Sequence, residues 1–304
     1  MVRVVAGRIG GILIVLVGVT FIVQLLIHLV PGDPIDTIAG QSISDKDRAV
    51  LRQELGLDEG LLKQYIRFVN RTLHFDLGRS FITRKPIADS IIELFPRTLF
   101  LATAALAFAI ATGLTAGAFT AAFPRTKLDR GVMLLSVAGV SAPVFVTALG
   151  LRYIFAERLP LLPPAGYGPA LFVILPAVTL GSRSAAYLAR ITRTTLLDVL
   201  SEDYIRTARA KGLSRMQTLL RHAFKNAAGP IISTIVLDFA MYLNGSVITE
   251  SIFAWPGLGR FAITAIMQRD LPKIQAVLLV MAVIYVMAIA TSDLLRVRID
   301  PRLR

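Results

Sequence analysis

Long uncharged runs alternate with charged segments along this chain. Ile9–Val30, Thr98–Phe123 and Gln275–Ser292 run for 22, 26 and 18 residues without a charge. Gly131–Phe155, Ala170–Leu188 and Pro230–Thr249 are nearly as apolar, each with one charge, Arg152, Arg183 and Asp238 respectively. A helix rises about 1.5 Å per residue, so each run is long enough for roughly 30 Å of hydrocarbon. The pattern predicts an all-α integral membrane fold with six transmembrane helices. The first run is read as a retained span and not a cleaved signal, because Val30-Pro31-Gly32-Asp33-Pro34 offers no small-x-small cleavage site.

The segments between the runs carry their own signals. Pro31-Gly32-Asp33-Pro34 predicts a turn into an external segment, 31–97. Within it Ser44–Leu55 has helix character, stopped at Gly56. Leu61, Leu62, Tyr65, Ile66, Val69 and Leu73 form a helical stripe. The second run contains Gly113-Leu114-Thr115-Ala116-Gly117, small residues that let helices approach closely in lipid. In the third, Ser141-Ala142-Pro143 predicts a kink or break, beside a pathway or in simple packing.

Residues 190–229 are too polar to cross and connect the fourth and fifth spans. Ser201 is the expected N-cap of a helix of about ten residues, with Glu202 and Asp203 in its first turn, where carboxylates favour the helix dipole. Leu200, Tyr204 and Ala208 are placed on one face. Gly212 is placed to stop the helix at Lys211, and Ala208, Ala210 and Gly212 would let another surface come close. Ser214 and Gln217 fit a capping box for a second, amphipathic helix whose stripe is Met216, Leu219, Leu220, Ala223, Phe224 and Ala227.

Charge sets the orientation. The net charge is +13, and residues 1–8, 124–130, 190–229 and 296–304 hold 2, 3, 8 and 4 Lys/Arg. These stretches fall on one side of a six-span topology, the cytoplasmic side by the positive-inside rule, which puts both termini inside. The basic excess is thus a topology signal and not a nucleic-acid footprint. With no cysteine and three scattered histidines, disulfides and Cys-based metal sites are excluded. No Gly-x-x-x-x-Gly-Lys-Ser/Thr phosphate loop is present, nor His-Glu-x-x-His, nor Gly-x-Ser-x-Gly. A membrane-embedded enzyme would need a second acid or a nucleophile–base pair inside the spans, and a stand-alone channel would not need a capped cytoplasmic helix.

The run Glu202-Asp203-Tyr204-Ile205-Arg206-Thr207-Ala208-Arg209-Ala210-Lys211-Gly212-Leu213 resembles the cytoplasmic loop of binding-protein-dependent ABC importer permeases. More narrowly it resembles the dipeptide/oligopeptide/nickel subgroup, first-permease type. That subgroup carries Arg-Thr-Ala where the general pattern is Glu-Ala-Ala-x-x-x-Gly, and Lys225 stands where many members have Pro. Pro31-Gly32-Asp33-Pro34, Leu55-Gly56-Leu57-Asp58, Phe75-Asp76-Leu77-Gly78-Arg79-Ser80, Glu250-Ser251-Ile252-Phe253-Ala254-Trp255-Pro256-Gly257-Leu258-Gly259 and Asp300-Pro301-Arg302 resemble subgroup signatures in the same order.

The resemblance implies a prokaryotic inner-membrane permease of four parts: 1–30, tip and first span; 31–97, external segment; 98–295, core with coupling loop 190–229; and 296–304, cytoplasmic tail. It implies that Glu202, Asp203, Tyr204, Ile205, Arg206, Thr207, Ala208, Ala210, Lys211 and Gly212 form a coupling helix seated on an ATPase. The implied partners are a sibling permease, two ATPase subunits that bind ATP and Mg, an external substrate-binding protein and membrane lipid, with no cofactor or metal on this chain. Peptides are the implied cargo, nickel chelates or another small solute the alternative.

Pathway candidates come from the spans. Arg183 and Asp238 are the charges deep in theirs, and such residues face a partner or water. Asp238, Tyr242, Gly245 and Thr249 are spaced as one helical stripe, with Ser141 and Pro143 at the expected break. An Arg183–Asp238 ion pair fixing two helices, or an Arg183 that snorkels to the surface, are the structural alternatives.

Overall fold

The computed structural model describes residues 2–29, 58–243 and 247–299, with positions 35, 46, 49–50 and 52–53. Pro31–Pro34, most of Ser44–Gly56, Gly245 and Asp300–Arg302 lie outside the described residues. Apart from one isolated bridge, Arg79 to Pro86, the described secondary structure is helical.

The helices are α1 (Val2–Leu29), α2 (Leu61–Leu73), α3 (Ile87–Ala122), α4 (Lys127–Ser141), α5 (Val144–Arg152) with a wider turn at Tyr153–Arg158, α6 (Leu171–Leu200), α7 (Asp203–Ala210), α8 (Arg215–Leu243), α9 (Val247–Ile252), α10 (Leu258–Met267) and α11 (Leu271–Ile299). Among the described residues four are long and apolar enough to cross a membrane: α3, α6, α8 and Leu271–Thr291 of α11. α4 with the 144–158 helix makes a fifth if counted as one broken span. The described apolar stretch of α1, Gly10–Leu25, is shorter.

The expected break at Ser141-Ala142-Pro143 is present and sharp. The two halves are bent by 107°, with Ala142 and Pro143 in extended conformation. Proline has no N–H to continue the ladder, and Pro143 instead starts α5. Ser141 and Pro143 are both exposed on this chain.

Two compact units are distinguishable. The first comprises Met1–Thr98 and Pro256–Val286. Here α2 lies along α1: the Tyr65 hydroxyl is 2.9 Å from that of Thr20, and the Tyr65 ring meets Phe21 edge-on at 5.6 Å. Three buried glutamines link the unit. Gln24 donates to Gln64 at 3.3 Å, and Gln275 donates to Gln24 at 3.2 Å and to the Val23 carbonyl at 3.3 Å. Asp270 is fully buried, accepts from the Phe81 amide and the Ser80 hydroxyl, and pairs with Lys273 at 3.2 Å. A buried carboxylate persists only when its lone pairs are so occupied. At the end of α2 the Arg71 guanidinium, helped by the Gly78 amide, holds the Asp76 carboxyl below the usual carboxylate range.

The second unit comprises Leu99–Trp255 and Met287–Arg304. α3 and α6 cross almost backbone to backbone. A Cβ built on Gly117 would lie 2.6 Å from the Ala189 carbonyl oxygen and 2.6 Å from Thr192 Cβ. The small residues noted in the sequence are therefore this contact. Asp129, buried at the start of α4, takes Arg193 of α6 at 2.6 and 2.8 Å and the Arg125 amide at 2.8 Å. This two-pronged pair ties the α3–α4 turn to α6.

Several sequence expectations are corrected here. α6 runs on to Leu200, and Ser201 caps its end: the hydroxyl donates to the Asp198 carbonyl at 2.7 Å. Ser201 keeps the αR backbone of a helix end while Glu202 is extended, so Glu202 is the N-cap of α7, without a side-chain cap bond. The second amphipathic helix and the fifth span are one continuous helix, α8, which starts at Arg215 and ends at Leu243. The signature Trp255-Pro256-Gly257-Leu258-Gly259 is largely buried: Trp255 is 1% exposed, stacked near Phe100 and edge-on to Tyr167 at 5.0 Å.

Candidate functional site

α7 is a short helix held at both ends by backbone chemistry. Its C-terminus closes by two bonds past Lys211: Gly212 donates to the Arg209 carbonyl at 2.9 Å and Leu213 to the Ala208 carbonyl at 3.4 Å. This closure needs a left-handed residue after the cap, and Gly212 has φ +88°. The next two residues re-enter a helix through the expected capping box, in which Ser214 and Gln217 each bond the other's backbone.

The inward face of α7 differs from the expected one. Ile205 is fully buried and Ala208 is 9% exposed, whereas Tyr204 is 42% exposed. Ile205 enters a cluster with Ala121 and Ala122 of α3, Leu188 and Leu196 of α6, and Leu219, Ala223, Ala227 and Ile231 of α8. One side chain thus anchors α7 at the junction of three long helices. Ala208 is turned to the chain's own interior. Tyr204 stays outside, where its hydroxyl accepts from Asn226 at 2.8 Å. Glu202, Asp203, Arg206, Thr207, Ala210, Lys211 and Gly212 are exposed and form the outer face.

The second helix's stripe is corrected as well. Leu219, Ala223 and Ala227 are buried with Thr218, but Met216 and Leu220 are 45% and 59% exposed. The helix widens to a π turn over Leu219–Ala223, which shifts the buried face to a period of four.

The pathway candidates divide. Asp238 is half-buried and Tyr242 is buried, one turn apart on α8, and both sit beside the buried Ser184 of α6. The Tyr242 hydroxyl completes no hydrogen bond of ordinary geometry. Arg183 is exposed and acts on Asp238 through space, without an ion pair within 4.0 Å. Thr249 lies apart on α9 and is fully buried. Sequence reasoning missed Ser184, Tyr187 and Arg190. Arg183, Tyr187, Arg190, Thr194 and Asp198 are the exposed residues of α6 from Arg183 onward, spaced i, i+4, i+7, i+11 and i+15. That spacing was legible, but three of its members, Arg190, Thr194 and Asp198, lie past the apolar run Ala170–Leu188. Among the described residues no group of three or more metal-ligating side chains is gathered.

The chain matches the family model described as binding-protein-dependent transport system inner membrane component over residues 113–304, and that family's N-terminal model over 1–102. It belongs to this permease family. The glutathione transport system permease protein GsiC of Escherichia coli (strain K12) is 37% identical over 304 residues, covering 100% of this chain and 99% of the relative. The protein of the same name from Salmonella paratyphi A is 38% identical over the same span. A chain of the MetNI methionine ABC transporter, solved in inward facing conformations, superposes with a TM-score of 0.59 at 16% identity over 69% of this chain and 96% of that one. The permease is therefore a multi-pass inner-membrane transport subunit of an ABC importer.

Proposed function

We propose that this permease is one half of a heterodimeric channel that imports peptides, powered by two separate ATPase subunits and loaded by an external substrate-binding protein. The observation that carries the reading is α7: a short helix closed at Gly212, exposed on its outer face and anchored by Ile205 where α3, α6 and α8 meet. A helix placed so converts a push on its outer face into movement of three helices together. Glu202, Asp203, Tyr204, Arg206, Thr207, Ala210, Lys211 and Gly212 are its ATPase-facing side, and ATP and Mg bind on the partner. The cargo class rests on the full-length relatives named for glutathione, which is a tripeptide. α1 and the broken α4–α5 pair complete six spans, with both termini and α7 in the cytoplasm, 31–97 outside, and 98–295 as the core.

Proteoliposomes with the sibling permease, the ATPase subunits and binding protein are expected to accumulate labelled dipeptide or glutathione only with hydrolysable ATP. Accumulation that continues without ATP hydrolysis would overturn the importer reading. The orientation has a separate test. The chain has no cysteine, so a cysteine at exposed Ser214 is expected to react with a membrane-impermeant maleimide only after cells are broken. Labelling in intact cells would reverse the topology.

A further inference from the structure

α6 is the most enclosed of the candidate spans: half of its most apolar window is buried, against 28% in α3 and α8. The face it leaves open changes character along its length. Toward the N-terminus the open residues are Leu171 and Ile174; from the middle on they are Arg183, Tyr187, Arg190, Thr194 and Asp198. Arg190 lies over the Tyr187 ring at 5.5 Å. Neither Arg183 nor Arg190 makes an ion pair among the described residues, unlike Arg193, which is closed onto Asp129. Arg183 is ten residues from Arg193, about 15 Å along the helix, so it sits well inside the span, away from the α3–α4 turn.

Lipid does not suit this face, because a guanidinium in hydrocarbon is costly and takes a partner or water. The nearest acid, Asp238, is at hand but turned to Ser184 and Tyr242. The lining therefore presents an exposed guanidinium, Arg183, with the half-buried Asp238 carboxylate close enough to feel its charge.

We infer that the Arg183–Tyr187–Arg190 face of α6 binds the carboxylate of the transported solute on its way inward, and that Asp238 faces the solute's ammonium group. The guanidinium fork matches a carboxylate in geometry and charge, and the Tyr187 ring holds Arg190 in place. The assignment rests on the peptide-importer reading above and adds which end of the peptide each side of the path meets.

The test uses the complete transporter in proteoliposomes with Arg183→Gln, Arg183→Lys and Arg190→Gln variants. The probes are Ala-Phe and its C-terminal amide, each presented on binding protein shown by titration to be saturated. Maximal uptake of the acid is expected to fall about tenfold in Arg183→Gln, the scale of one lost charge-assisted hydrogen bond, while uptake of the amide changes less than about twofold. Arg183→Lys is expected to keep most acid uptake, and Arg190→Gln to shift the acid-to-amide ratio in the same direction. Equal losses for acid and amide, or no loss for either, would overturn the assignment. If Arg183→Gln does not assemble, the ratio in Arg190→Gln and Arg183→Lys decides alone. Wild-type transporter that moves neither probe would instead sink the peptide reading itself.

Discussion

Gly117→Leu is expected to abolish assembly of the permease. The added Cβ meets the Ala189 carbonyl oxygen at 2.6 Å and Thr192 Cβ at 2.6 Å, the first of them backbone that no rotamer change can move. Gly113 repeats the situation one turn earlier, where a Cβ would stand 2.8 Å from the Ala185 carbonyl oxygen. α3 and α6 would have to separate along the whole crossing, which breaks the dispersion contacts that hold helices together in lipid. Overpacking of a tight site costs about 1–3 kcal/mol for smaller insertions, and a leucine here is at the top of that range or above it. Gly117→Ala is expected to lower the detergent-extracted yield and thermal midpoint measurably, and Gly117→Leu to leave little folded protein. Gly131→Ala, with nothing within 4 Å of its Cβ, is the control and is expected to behave as wild type. A Gly117→Leu permease that extracts and melts like wild type would show that the helices do not cross as described.

The second large effect concerns α7. Ile205→Ala is expected to leave the permease folded and bound to its ATPase partners while uptake falls at least about tenfold and ATP hydrolysis continues. Removing a fully buried isoleucine costs about 2–5 kcal/mol where the site cannot collapse, and here the loss falls on the one contact that joins α7 to α3, α6 and α8. A loosened helix can still sit on a partner but no longer moves three helices with it. Ile205→Val, which costs about 0.5–1.5 kcal/mol, should retain most uptake. Parallel losses of hydrolysis and uptake would place Ile205 in stability alone.

Much of the architecture follows from local chemistry. The apolar runs, the break at Pro143, the stop at Gly212 and the Ser214–Gln217 box each depend on a few neighbouring residues, so each is readable in one dimension. The sequence by itself determined that the chain is an all-helical membrane protein with a short capped helix between long ones. It also determined the family, through motifs in order along the whole chain. Tertiary structure decided which faces those helices turn inward. Ser201 was misplaced because a serine between two helices can close the first as readily as open the second. Asp129 and Arg193 are 64 residues apart, and nothing local foretells their meeting. Nor could the spans alone say that Asp238 would turn to Ser184 and leave Arg183 open. A charge in a membrane finds its partner through the packing of whole helices, and that is settled only when the chain has folded.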